Sequence, residues 1–375
     1  MTVTAILAGL SATFWALFLY PYAIYPLVLG MLSRRPIHPR PIQCPVSILF
    51  CAYNEIECLP AKIDNLRELK AACPQLEILV YDDASTDGTF ELLAGAGDLL
   101  KVVRGPGRTG KAAGMKRLVA LSNGKVLVFT DANILLAADL VERLLPYYGD
   151  PQIGGVAGTF RGSAGQGTVT SSVGAAFLSL DERLQIMESR TGNIMGASGG
   201  LFSVRRELYP DFPDTVQDDF TVSMSVIFRG KRLVKAPDVV AFEKTIARRE
   251  EELSRKVRIG ARAFHTHLFL RPQVARMALR DRMKYFSRKM LRWFGGVFLA
   301  LGAVFALAAV ATLSVTAAAV LAAGALVAIA ISLRSSAGHL AKLGEMGLAI
   351  FATLFGVVQG MRGRTKATWS PAKSR

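Results

Sequence analysis

Two aliphatic runs in this chain close on carboxylates. The first is Glu77-Ile-Leu-Val-Tyr-Asp82-Asp83, continuing as Ala-Ser85-Thr-Asp87-Gly88-Thr89; the second is Val126-Leu-Val-Phe-Thr-Asp131-Ala-Asn133. Short apolar runs bounded by turn residues read as buried strands. Acidic residues at the ends of such strands fall on the carboxyl edge of a parallel sheet, where α/β folds take their ligands. A third acidic pair, Asp218-Asp219, stands further along. Carboxylates gathered at one edge repel one another unless a cation sits among them. The pattern points to an α/β fold whose sheet edge binds a metal together with a nucleotide.

The rest of the central chain agrees. Strand-like runs at 46–52, 77–81, 101–103 and 126–130 alternate with helical stretches at 59–72, 86–94 and 111–121. Such alternation means βαβ units and a mostly parallel sheet. A domain over 43–265 follows, its last part a charged helical stretch at 248–264. The four cysteines (Cys44, Cys51, Cys58 and Cys73) have no paired CxxC spacing. They read as reduced thiols in the cytosol, not as zinc ligands.

Hydrophobic residues make up 51% of the 375 residues and the mean hydropathy is positive, more than a soluble domain carries. The excess lies at the two ends. Residues 4–30 are uncharged and include Trp15, Tyr20, Tyr22 and Tyr25, enough helix to cross a hydrocarbon core of about 30 Å. The stretch exceeds a signal-peptide core and lacks a basic leader, so 1–32 reads as an N-terminal transmembrane helix. Ser33-Arg-Arg-Pro-Ile-His-Pro-Arg-Pro41 is its basic exit, which puts residue 34 onward in the cytosol. Residues 278–293 set Met283, Phe286, Met290 and Trp293 against cations, as in an interfacial amphipathic helix. Residues 294–333 read as a transmembrane hairpin, 346–361 as an interfacial or re-entrant apolar segment, and 362–375 as a basic tail. The expectation is three spans in the inner (plasma) membrane, a multi-pass chain with its catalytic domain cytosolic. The net charge of +16 invites nucleic acid. The cations cluster beside the apolar segments instead, at Arg34-Arg35, 280–292 and 362–375, as flanks of membrane spans do. Nucleic-acid binding is therefore set aside.

Seven elements carry candidate chemistry. Ala52-Tyr53-Asn54-Glu55 follows the first strand, where a loop holds a nucleotide base against Tyr53 and its backbone; an ordinary strand-to-helix turn is the alternative. Asp83 suits a base imide or ribose hydroxyl, while Ser85, Thr86 and Asp87 equally suit a helix cap. Gly107-Arg-Thr-Gly110-Lys111 offers backbone donors and charge to a diphosphate, but lacks the spacing and the Ser or Thr of a P-loop. Asp131-Ala-Asn133 places two oxygen ligands on one side of an extended segment, as a grip for Mg2+ or Mn2+. Gly196-Ala-Ser198-Gly199-Gly200 gives an acceptor close approach. Asp218-Asp219 caps a helix or supplies a general base. Arg255, Arg258 and Arg262 share a helix face, either solvated or clamping a diphosphate.

In this order the elements resemble a membrane-bound family 2 glycosyltransferase, related to the cellulose, chitin, hyaluronan and poly-N-acetylglucosamine synthases. The resemblance runs from the first span to Trp369-Ser-Pro371. It implies a GT-A (Rossmann-like) cytosolic domain flanked by transmembrane helices. It also implies a nucleotide-diphosphate sugar donor, a UDP-sugar above others, a Mg2+ or Mn2+ cofactor, and inversion at the anomeric carbon. Carried onto this sequence, Ala52, Tyr53, Glu55 and Asp83 bind the nucleotide with Lys111 nearby. Asp131 and Asn133 take the D-x-D metal positions, with Asn133 replacing the second Asp. Asp219 is the base with Asp218 beside it, Ser198, Gly199 and Gly200 face the acceptor, and Arg255 and Arg258 match Q/R-x-x-R-W. Ile259 stands where processive synthases carry Trp. Transfer to a lipid-linked or saccharide acceptor, among membrane lipid, therefore stands beside polysaccharide synthesis. A polyprenyl-phosphate sugar transferase and a non-catalytic sugar-nucleotide scaffold are the other readings.

Overall fold

The computed structural model describes residues 2–162, 169–243, 248–335, 337–365 and 368. Trp369-Ser-Pro371 and most of the basic tail 362–375 lie outside the described residues. The strands are β1 (Val46–Ala52), β2 (Glu77–Asp82), β3 (Lys101–Arg104), β4 (Val126–Thr130), β5 (Leu135–Leu136), β6 (Ile153–Gly162), β7 (Leu201–Arg205) and β8 (Arg232–Glu243). They form one sheet in the order β3-β2-β1-β4-β7-β6-β8-β5. The β3-β2-β1-β4 half is parallel, as is β6 with β8. β7 runs antiparallel to both β4 and β6, and β5 to β8.

The parallel half is apolar on both faces, which is what buried parallel strands require. Successive residues of β1 point to opposite sides. Leu49 and Cys51 pack with Met115 and Leu118, while Ile48 and Phe50 pack with Leu66 and Leu69. Helix Lys111–Leu121 therefore covers one face and helix Leu59–Ala72 the other. The first comes very close to the sheet at Gly114, where a Cβ would lie 2.5 Å from Tyr81 Cδ1 and 2.8 Å from Cys51 Sγ. The helix expected over 86–94 starts only at Thr89, because Gly88 at φ +93° ends the preceding loop in a left-handed turn.

Around this domain, helices Val3–Leu19 and Ile24–Met31 form the first apolar segment, interrupted at Pro21. Among the described residues, three stretches, Val3–Met31, Val315–Arg334 and Gly338–Met361, are long and apolar enough to cross a membrane. Leu279–Trp293 and Gly295–Ala311 make a fourth if that pair, bent by 64°, counts as one span. The apolar segment 346–361 is thus the end of a 24-residue helix. A buried charge network ties these parts to the domain. Asp181, on helix Val169–Arg190, accepts from Arg288 at 2.7 Å and Arg292 at 2.8 Å. Glu188 on the same helix accepts from the Tyr25 hydroxyl at 2.6 Å and lies 3.4 Å from Arg288.

Helix Arg249–Ala275 lies against Gly338–Met361 through glycines. A Cβ on Gly260 would lie 2.8 Å from the Thr353 carbonyl, one on Gly360 2.5 Å from that of Ala261, and one on Gly356 would overlap that of Val257. Gly356→Val should force the helices apart and cost about 1–3 kcal/mol of stability, read as a lower melting midpoint of the detergent-solubilised protein. Gly347→Val, on the same helix with nothing within 4 Å, should leave the midpoint unchanged.

Candidate active site

The carboxyl ends of β1, β2 and β4 open on one edge, and the helix that follows β3 points its first residue there. Lys111 begins that helix after Gly110, whose φ of +89° suits glycine. Its ammonium donates to Asp131 Oδ1 at 2.6 Å and stands 4.0 Å from Asp218 Oδ2. Asp218 and Asp219 open helix Asp218–Phe228, and Asp219 Oδ1 accepts the Phe220 N–H at 2.7 Å. Gly199 closes the group. A Cβ there would lie 2.8 Å from Asp219 Oδ2 and 3.2 Å from Lys111 Nζ. The loop is held by Thr130, whose hydroxyl donates to the Gly200 carbonyl at 2.9 Å and whose backbone is in register with Leu201. Lys111, Asp131, Gly199 and the Asp218-Asp219 pair, from four separate parts of the sequence, are thus brought together.

Burial alone would push the Lys111 ammonium down, but Asp131, Asp218 and Asp219 outweigh it and hold it above the usual lysine range. Burial and the neighbouring Asp218 carboxylate push Asp219 up to about 6, against the opposing pull of Lys111, the Phe220 N–H and Arg262. The first group stays a cation; the second becomes a carboxylate able to take a proton near neutral pH.

The neighbouring loops are laced by the polar residues of the Asp82–Thr89 turn. Ser85 accepts the Asn54 N–H at 3.1 Å, Thr89 that of Glu55 at 3.0 Å, and Asp87 that of Ile56 at 3.2 Å. Asn54 itself sits at φ +51°. Asp83 is fully buried and turned inward. Its carboxylate accepts the Thr109 N–H at 2.7 Å, the Thr109 hydroxyl at 3.0 Å and the Gly110 N–H at 3.1 Å. It therefore shapes the loop that presents Lys111. Arg108, 3.7 Å from Asp83, lays its guanidinium 3.1 Å from the centre of the Tyr53 ring. Asp82, also fully buried, keeps an Oδ1 with no partner among the described residues.

Asp131 offers a carboxylate and Asn133 an amide oxygen, the donor types a hard divalent cation takes. The buried Nδ2 of Asn133, a hydrogen-bond donor and not a ligand, has no partner among the described residues. No group of three or more His, Cys, Asp or Glu forms a closed cage among the described residues. A short donor set of this type suits Mg2+ or Mn2+ that completes its shell with phosphate and water.

Lys62, which no motif marks, lies beneath this loop. It is fully buried, donates to the Ile134 carbonyl at 2.5 Å, and burial brings its ammonium down to about 7 against the pull of Asp131. Arg255 stands apart from the lysine cluster and pairs with Glu243 and Glu252 at 3.7 and 3.6 Å. Of the shared arginine face, the buried Arg262 reaches the loop before Asp218, donating to the Val216 carbonyl at 3.1 Å. Ser198 is exposed, whereas Gly200 is buried against the Phe160 ring.

The fold is GT-A. The solved structure of the mannosyltransferase PcManGT from Pyrobaculum calidifontis, in complex with GDP-Man and Mn2+, superposes with a TM-score of 0.75. The match covers 95% of this chain and 99% of that one at 23% identity. Residues 47–212 match glycosyl transferase family 2, and the domain they build belongs to that family. Beta-monoglucosyldiacylglycerol synthase of Nostoc sp. (strain PCC 7120) is 27% identical over 210 residues, covering 54% of this chain and 45% of that protein. Glucosyl-3-phosphoglycerate synthase of Mycolicibacterium paratuberculosis is 28% identical over 188 residues, 45% and 55% of the two chains. The chain spans about half the length of the curated relatives it matches.

Gly199→Ala should leave the melting midpoint near that of the parent while displacing Asp219 and Lys111. Sugar transfer by the purified variant is expected to fall by about 10²-fold, as misplacements near 1 Å do. The raised Asp219 gives a signed pH dependence. Protonated Asp219 cannot accept a proton, so kcat/KM should fall tenfold per pH unit below about 6 and level off above it. A flat profile between pH 5 and 7 would remove this role.

Proposed function

We propose that the protein is an inverting glycosyltransferase. It moves a sugar from a nucleotide-diphosphate sugar, a UDP-sugar first among donors, to a hydroxyl of a lipid-linked or saccharide acceptor. The reaction is set at the cytosolic face of the plasma membrane, in glycolipid or cell-surface polysaccharide synthesis. The observation that carries this reading is the Lys111 cation beside Asp131, Asp218 and Asp219, walled by the Gly199 backbone. Similarity to a synthase of monoglucosyldiacylglycerol and three helices of membrane-crossing length support a lipid-linked acceptor.

Each residue then has work suited to its chemistry. Asp219 accepts the proton of the acceptor hydroxyl as its oxygen bonds to the anomeric carbon from the face opposite the leaving group. The bond to the diphosphate breaks in the same displacement, which inverts the centre. Lys111, kept cationic by its carboxylates, offers fixed charge to the departing diphosphate. Asp131 and Asn133 would hold Mg2+ or Mn2+, which when bound neutralises diphosphate charge. Tyr53 and the backbone from Ala52 to Glu55 border the base, beside Asp82, with Arg108 on the ring and Asp83 fixing the loop. Ser198, Gly199 and Gly200 admit the acceptor with little side-chain bulk, while Arg255 and Arg258 are candidates to clamp the donor's diphosphate.

The test is release of nucleoside diphosphate by the purified protein with UDP-, GDP- and TDP-sugars, with Mg2+ or Mn2+, plus and minus a membrane lipid extract. Release with one donor, stimulated by lipid and abolished by EDTA, is the expected outcome. Asp219→Asn should lower it by about 10²–10⁴-fold with donor binding intact, and Asp131→Ala should weaken metal-dependent nucleotide binding. Full turnover by the Asn variant would remove Asp219 from the base role. Nucleotide binding without release in any mixture would support the scaffold reading.

A further inference from the structure

A cavity of about 400 Å³ lies on the domain where the membrane segments leave it, lined by Arg35, Lys231, Arg232, Arg276, Asn193 and Asp281 among others. Its lining is unbalanced in charge. Four cations face one carboxylate, and none of the four makes an ion pair among the described residues. Asp281 already accepts from Asn193 at 2.9 Å. Lys231 donates to the Pro151 carbonyl at 3.0 Å. Arg232 is buried and spends its terminal nitrogens on backbone carbonyls, including Pro36 at 2.8 Å and Arg35 at 2.9 Å. Its Nε is buried with no partner among the described residues. Concentrated positive charge around an unpaired buried donor is a site for an anion.

The surroundings say which anion. Arg35 follows the first apolar segment, which ends at Met31, and Asp281 lies on helix Leu279–Tyr285 at the start of the bent pair. Met31 and Leu279 are exposed at 86% and 72%. A phosphate in the cavity therefore has apolar side chains on the segments leading away from it, where acyl chains would lie. Cationic residues beside exposed apolar ones form the arrangement basic lipid-headgroup pockets use, and the volume is that of a small-ligand site.

We infer that this cavity binds the phosphate headgroup of an anionic phospholipid. The site is separate from the sheet edge that holds Lys111, and a bound lipid would fix the height of the domain over the bilayer. The inference rests on the membrane reading above but not on the transfer reaction.

The test uses the full chain in mild detergent, titrated with dioctanoyl phosphatidylglycerol, dioctanoyl phosphatidylcholine or inorganic phosphate, with bound lipid counted by native mass spectrometry. Phosphatidylglycerol should bind at least about tenfold tighter than phosphatidylcholine. The double variant Arg35→Gln/Arg276→Gln, at two exposed positions, should weaken phosphatidylglycerol by about tenfold or more. That variant should keep the parent's melting midpoint and its release of nucleoside diphosphate. Lys231→Gln provides a second variant with the same expected direction. Equal affinity for the two lipids, or unchanged affinity in both variants, would overturn the proposal. Competition by inorganic phosphate at equal concentration would overturn the lipid assignment and leave a free-anion site. Lipid binding is read without a donor, so its failure and the failure of the glycosyltransferase reading are distinct results.

Discussion

The ion pair between Lys111 and Asp131 organises the carboxyl edge of the sheet. Each partner is delivered by a different part of the parallel half, Lys111 by the helix after β3 and Asp131 by the end of β4. For the pair to form, the helix must sit close to β1 and β2, which Gly114 permits. The loop before the helix must also turn at the right place, which Asp83 secures through the N–H groups of Thr109 and Gly110. Asp218 and Asp219 then join an existing cation. Without it, three carboxylates in a partly buried space would raise one another's proton affinity until some became neutral. The same cation restrains Asp219, leaving it at about 6.

Much of this was legible in the sequence, and for a physical reason. The parallel strands are buried on both faces, so they appear as unbroken aliphatic runs, and β1 and β4 fall where such runs predict. The carboxylates that close these runs stand out against them. The mixed half was less visible because β6, β7 and β8 pair with strands distant in sequence. The direction in which a side chain turns is likewise absent from a motif. Asp82 and Asp83 are adjacent and alike in sequence, yet Asp83 is bound to a loop and Asp82 Oδ1 has no partner among the described residues. Lys62 illustrates the same limit. It lies in an ordinary helix, and only the fold shows that its charge is buried beneath Ile134.

The apolar helices are joined to the α/β domain in two physically different ways. Asp181 and Glu188 gather Arg288, Arg292 and Tyr25 in a buried polar network, which demands a specific geometry. Gly260, Gly356 and Gly360 bring two helices into backbone contact, where shape alone decides the fit. The glycine contact seats helix Gly338–Met361 on Arg249–Ala275, the same helix that sends Arg262 to the loop before Asp218. The apolar helices and the candidate base are thus connected through one element.

The wall facing Asp219 is main chain. At Gly199 no side chain stands between the loop and the carboxylate, so the immediate setting of Asp219 does not depend on a side chain from this position. Variation on this side falls to its neighbours, the exposed Ser198 and the Phe160 ring that backs Gly200. In a transferase of the kind proposed, chemistry and choice of partner would then sit on separate groups, so one could drift through substitution while the other stayed fixed.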